Sequence, residues 1–195
     1  MSNAMSDETE CLLTGIGGQG VQLCAQVLAR AAVIDGKYVM LFGVYGGAMR
    51  GMNTDATLVV GNHPLLSPPL LSHTDTAIAM HDKFWRPIGA KLRDDALVLV
   101  NDATFETGLD TVRYRVVRVP ATDRAKDLGH EMGGSMVMAG AYAAISGVVS
   151  LDSLLAGMRE SIPSYRTQHI DANVVTLSDG FTWGSTRLSM MGAGA

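Results

Sequence analysis

The stretch Thr14-Gly15-Ile16-Gly17-Gly18-Gln19-Gly20 sets four glycines in six positions behind the apolar run Cys11-Leu12-Leu13 and ahead of a segment rich in alanine and leucine. Such a run reads as a strand, a glycine turn and a helix start. Glycine tolerates positive φ and lets backbone approach a ligand, while a helix start presents free N–H groups and the positive end of its dipole. Together these outline an anion site. The spacing G-x-G-x-x-G also occurs where a strand-to-helix turn merely packs, so the rest of the chain has to separate binding from packing.

Downstream, Val21, Leu23, Val27, Leu28, Ala31 and Ala32 recur at helical spacing, and Asp35-Gly36 supplies a stop in which Asp35 reads as a solvated turn residue. Residues 37–42 read as a second buried strand. Strand, helix and strand then fit a βαβ unit of about 32 residues and predict a parallel sheet. That second strand ends Phe42-Gly43-Val44-Tyr45 without the acidic residue that holds a ribose hydroxyl, which weakens NAD binding.

Residues 54–61 read as a strand at or near an edge, 77–80 as a short buried strand, and 96–101 and 114–120 as two more. Residues 82–92 are amphipathic, and 121–128 read as a short polar helix. Residues 136–149 form a buried helix with Ser135 as N-cap, and 153–161 a last helix capped by Asp152 or Ser153. From Pro163 the tail reads as irregular, with residues 191–195 frayed. The expected fold is α/β, a Rossmann-like three-layer sandwich around a mostly parallel, doubly wound sheet. One domain is expected over residues 5–190, after an expression-tag remnant, Met1-Ser2-Asn3-Ala4.

The second strand leads into Tyr45-Gly46-Gly47-Ala48-Met49-Arg50-Gly51-Met52-Asn53, a glycine-rich loop with one arginine. Loops after the strands of a doubly wound sheet meet at its carboxyl edge, so Arg50 is expected to face the glycine turn. A guanidinium there can take phosphate or carboxylate in bidentate fashion; the competing reading is a surface arginine capping a carbonyl. The candidate ligand-binding set is Gly15, Gly17, Gly18, Gln19, Gly20, Tyr45, Gly46, Arg50, Gly51 and Ser135. Residues 62–71, with three prolines and four leucines, either cover the core or contact another chain.

Fifteen basic against nineteen acidic residues, a net charge of −4, give no footprint for nucleic acid or a membrane surface. Two cysteines, Cys11 and Cys24, cannot make a four-cysteine iron–sulfur site, and with no leader pattern at Met5 they point to a cytoplasmic protein. The longest apolar run, 136–151, is interrupted by Gly140, Ser146, Gly147 and Ser150 and is shorter than the ~18 residues of a membrane span. His63, His73, His81, His130 and His169 share no ligand spacing, and neither a P-loop nor a nucleophile elbow is present. The residues therefore predict neither a metal site nor a self-contained catalytic group.

Two segments together carry a resemblance. G-I-G-G-Q-G-V at residues 15–21, followed by Y-G-x-x-x-R-G at residues 45–51, resembles the gamma subunit or domain of the 2-oxoacid:ferredoxin (acceptor) oxidoreductases, which act on pyruvate, 2-oxoglutarate, ketoisovalerate or indolepyruvate. Residues 136–141 resemble a later segment of that family, and Asn173 its C-terminal asparagine. Two positions depart from the pattern: Met52 stands where a second glycine is usual, and Ser135 where an asparagine is usual. The resemblance implies a subunit that is inactive alone and binds no cofactor of its own. In the implied complex, thiamine diphosphate and iron–sulfur clusters sit in partner subunits, electrons leave to ferredoxin, and the acyl product passes to coenzyme A. It also implies that Gly17, Gly18, Gln19, Gly20 and Arg50 contact an anionic group such as a coenzyme A phosphate. From the residues alone, two other classes stay open: a stand-alone Rossmann-like module for NAD or a flavin, and a structural protein acting as a homodimer or scaffold.

Overall fold

The structure is a computed structural model describing residues 8–45, 51–66 and 68–192. Its strands are β1 (Glu8–Ile16), β2 (Tyr38–Tyr45), β3 (Asn53–Gly61), β4 (Thr74–Ala79), β5 (Leu92–Asn101) and β6 (Arg115–Val119). Its helices are α1 (Val21–Ile34), α2 (Trp85–Gly89), α3 (Ala121–Asp127), α4 (Gly134–Ser146), α5 (Leu151–Ser161) and α6 (Ile170–Gly192). The strands form one sheet in the order β2-β3-β1-β4-β5-β6. Ladders β1/β4, β4/β5 and β5/β6 are parallel, as expected of an α/β sheet.

The first unit departs from the expected βαβ. Strands β1 and β2 run the same way but do not touch, because β3 is wedged between them and pairs antiparallel with both. A short connection joins antiparallel neighbours, whereas a parallel pair needs a crossover, so the short link after β2 returns the chain as β3 beside it. This makes β2 an edge strand, contrary to the expectation of a buried one. Tyr38, Phe42 and Val44 on one of its faces are 44–48% exposed, and Leu41 on the other is 36% exposed. An apolar run fits an exposed edge as well as a buried centre, which is why the pattern misleads. Strand β3 lies one place in from the edge, as expected.

Alternation along β1 divides the sheet's two faces. Cys11 and Leu13 join Leu28, Ile78, Leu99, Met138, Tyr142 and Leu154 in the larger core, beneath α1 and α4. Leu12 joins Ala77, Val98, Trp85, Ile88 and Phe105 in a smaller core, covered by α2. The two sides are therefore unequally clothed, with long helices on one and a single short helix on the other.

Three expectations about the C-terminal third are corrected. The tail is not irregular: α6 runs 23 residues against α4. Helix α5 is capped by Ser150, whose hydroxyl accepts from Ser153 N–H, rather than by Asp152 or Ser153. Ser135 lies inside the first turn of α4, whose N-cap is Gly133 with no side-chain bond. Met191 and Gly192 belong to α6, and residues 193–195 lie outside those described.

Asp35 is not merely solvated. Its carboxylate accepts from Ser150 N–H and from the hydroxyls of Ser150 and Ser153, tying the end of α1 to the start of α5. Burial pushes this carboxyl up, but those hydrogen bonds outweigh it and hold it below the usual range. A carboxyl depressed on folding contributes fully above its ordinary value and loses that contribution as pH falls through the depressed one. Asp35→Ala is expected to cost about 1 kcal/mol near neutral pH, the scale of a lost helix cap. Urea midpoints check it: the gap between variant and parent narrows by about pH 3, and a gap equal at both pH values contradicts the assignment.

Candidate functional site

The carboxyl ends of β1 and β4 meet the starts of α1 and α4, and the glycine turn occupies this junction. Gly18 and Gly20 hold φ of 106° and 78°, values a side chain disfavours, which lets the backbone double back into α1. Gly17 N–H donates to Met52 O at 2.7 Å and Gly51 N–H to Gly17 O at 3.1 Å, so the segment entering β3 is clamped to the turn. The expected convergence of the two glycine segments therefore holds for Gly51. It arises through the wedged β3, which sets Ile16 opposite Asn53. Gly46 and Arg50 lie outside the described residues, and of Tyr45 only the backbone, paired with Thr54, is described.

Met52 does not disturb the clamp: its carbonyl receives Gly17 N–H and the residue is 47% exposed. Gln19 has its amide occupied. Its Oε1 accepts from Ile16 N–H at 3.0 Å and its Nε2 donates to Met80 O at 3.1 Å, bracing the turn against the end of β4. Gly15 leaves room for that brace, since a Cβ there would lie 2.9 Å from Gln19 Oε1 and 2.8 Å from Val21 Cγ2. Ser135 is 3% exposed and packs directly on Gly20, where a Cβ would stand 2.9 Å from Ser135 Cβ. The starts of α1 and α4 therefore converge, and among the described residues no hydrogen bond engages Gly18 or Gly20 N–H. Two helix starts and unspent N–H groups suit a negative ligand.

Supporting residues escaped the sequence reading. Asp55 accepts from Thr14 Oγ1 at 2.6 Å and from Asn53 Nδ2 at 2.7 Å, fixing β1 and β3 just below the turn. Among the described residues, Asn53 Oδ1 is buried without a partner. Lys83, in the turn after β4, brings Nζ to 3.5 Å from Gly51 O, adding a cation beside the clamp. His130 Nε2 lies 3.0 Å from Asn173 Oδ1, so the asparagine singled out in the tail holds the turn that launches α4. Asn173 apart, no local pattern marks these residues; only the fold brings them together.

Cys11 and Cys24 lie deep in the larger core. Burial pushes the Cys11 thiol up to about 11 and raises that of Cys24 further, which favours the protonated form over a metal-binding thiolate. Among the described residues no group of three or more His, Cys, Asp or Glu is placed to hold a metal ion, and no helix is long and apolar enough to cross a membrane.

Residues 10–183 match the family described as pyruvate ferredoxin/flavodoxin oxidoreductase. The chain is 33% identical over 161 residues to the 2-oxoglutarate synthase subunit KorC of Methanothermobacter thermautotrophicus, covering 79% of this chain and 85% of that one. It is 30% identical over 152 residues to the pyruvate synthase subunit PorC of Methanothermobacter marburgensis, covering 76% and 84%. Among solved structures it is similar to the keto/oxoacid ferredoxin oxidoreductase gamma subunit of Geobacter sulfurreducens, with a TM-score of 0.76, 25% identity and coverage of 90% and 95%.

Proposed function

The chain belongs to the pyruvate ferredoxin/flavodoxin oxidoreductase family, and from that premise we propose that its glycine turn forms part of the coenzyme A side of the complex. It is a gamma-type subunit of a 2-oxoacid:ferredoxin oxidoreductase, in line with relatives matched over more than four-fifths of their own length. The alternative of a stand-alone nucleotide module draws no support from them. In this reading thiamine diphosphate and the iron–sulfur clusters lie in partner subunits, ferredoxin takes the electrons, and the complex works in the cytoplasm. Two unpaired, buried cysteines support a reducing compartment.

The observation that carries the coenzyme A assignment is the clamp of Gly51 and Met52 on Gly17 at the starts of α1 and α4. Gly18 and Gly20 N–H groups would receive a phosphate, and Arg50, next in sequence to the clamped Gly51, would close on it with two N–H donors. Gln19 and Ser135 then act by holding the turn in shape. Coenzyme A would supply the thiol that accepts the acyl group; this chain would fix only its anionic end. Arg50→Ala in the reconstituted complex is expected to raise KM for coenzyme A about 10- to 100-fold, the scale of one or two charge-assisted hydrogen bonds, with smaller change in kcat. An unchanged KM in an assembled complex would remove the coenzyme A role while leaving the subunit assignment in place. Failure to co-purify with a thiamine-dependent partner would count against assembly itself.

A further inference from the structure

A cavity of about 370 Å³ lies on the thinly covered side of the sheet, lined by Asp82, Trp85, Arg86, Gly89, Thr107 and Tyr114. Its size falls in the range of small-molecule sites. Trp85 forms its wall and is only 6% exposed, held by an edge-on contact with Phe105 whose ring centroid is 5.3 Å away. Its indole N–H has no hydrogen-bond partner among the described residues. Gly89 keeps it clear: a Cβ there would stand 2.9 Å from Trp85 Nε1.

The neighbouring Arg86 guanidinium has neither an ion pair nor a hydrogen bond among the described residues, unlike those of Arg93, Arg113, Arg118 and Arg124, each of which holds an aspartate. The one carboxylate in the wall is already engaged. Asp82 Oδ2 accepts from Glu106 N–H, Thr107 N–H and Thr107 Oγ1, and Oδ1 faces His81 Nδ1 at 3.1 Å. Burial pushes Asp82 up, but those hydrogen bonds outweigh it and keep it below the usual carboxylate range. Among the described residues, the Arg86 guanidinium, the Trp85 N–H and the Tyr114 hydroxyl are thus the unspent polar groups of the wall, all able to donate, beside the aromatic surfaces of Trp85 and Tyr114.

We propose that this cavity binds a small organic anion whose apolar body rests on the Trp85 and Tyr114 rings and whose carboxylate is received by Trp85 Nε1–H and the Arg86 guanidinium. The site is separate from the glycine turn and does not depend on the coenzyme A reading. The shared turn after β4 contributes Asp82 to one and Lys83 to the other.

The two tryptophans make the test direct. In nitrogen-15 NMR spectra of the full chain, the Trp85 and Trp183 indole N–H signals are separated by a Trp183→Phe variant. Phenylacetate, used as the probe, is expected to shift the Trp85 signal saturably at millimolar concentration and leave Trp183 in place. Phenylacetamide, of the same shape without the charge, is expected to produce no saturable shift. Arg86→Ala, a change at an exposed side chain, is expected to weaken phenylacetate at least about tenfold, as loss of a charged hydrogen-bond donor requires. The proposal is overturned by any of three results: a Trp85 signal that does not move, an equal response to the amide, or undiminished binding in Arg86→Ala.

Discussion

Gly140→Ala is expected to lower the thermal unfolding midpoint by about 6 °C. Helices α4 and α6 approach one another closely at glycines on both. A Cβ on Gly140 would collide with the Leu177 carbonyl oxygen and lie 2.6 Å from Phe181 N. One on Gly180 would collide with the Val137 carbonyl and lie 2.8 Å from Val137 Cα. The obstructing atoms are backbone, so no rotamer change relieves them and the helices must part. Overpacking of this kind costs about 3 kcal/mol or more, against which alanine's better helix propensity returns about 1. A net loss near 2 kcal/mol corresponds to about 6 °C for a chain of this size. Gly108→Ala is the control, because nothing lies within 4 Å of a Cβ there and its φ is not in the positive range. Scanning calorimetry of both variants decides the matter: a Gly140→Ala protein unfolding within about 2 °C of the parent would mean that α4 and α6 do not pack this closely.

Gly20→Ala is expected to damage stability and ligand binding together. The position holds φ of 78°, which costs an alanine roughly 1 kcal/mol, and the new Cβ would collide with the Ser135 hydroxyl. Ser135 is buried in α4 and cannot swing into solvent, so the start of α1 has to move away from it. The combined cost is expected to be about 3 kcal/mol. In a Ser135→Gly background both the hydroxyl and its Cβ are gone, and the same change is expected to cost only the conformational part. The coupling between the two sites is then about 2 kcal/mol, measurable in a double-mutant cycle of urea midpoints. Additive effects would show that the turn and α4 are not in contact. In the assembled complex, Gly20→Ala is also expected to raise KM for coenzyme A, because the N–H groups of the turn lose their common direction.

What could be read from the chain divides along local and non-local lines. The run from Leu12 to Ile34 was legible because strand alternation, glycine spacing and helical periodicity are all short-range signals. The insertion of β3 between β1 and β2 was not, since no residue of Asn53–Gly61 records which neighbour it will pair with. Helix α6 was hidden for a different reason. Gly180, Gly184 and its valines and threonines are weak helix formers, and the glycines are there for close approach to α4 rather than for propensity. At the site, the motif glycines were readable, whereas the duties of Gln19 and Asp35 depend on Met80 and Ser150, partners set by tertiary folding.

Strand β2 also bears on how the chain fares before assembly. Its eight residues, Tyr38–Tyr45, carry no charge, no proline and, among the described residues, a ladder on one side only. Lysines, prolines and bulges are the usual guards against strands joining between molecules, and here all three are missing. An isolated copy therefore carries an unguarded margin able to template the next copy. The expected consequence is a concentration-dependent self-association of the isolated chain through this edge.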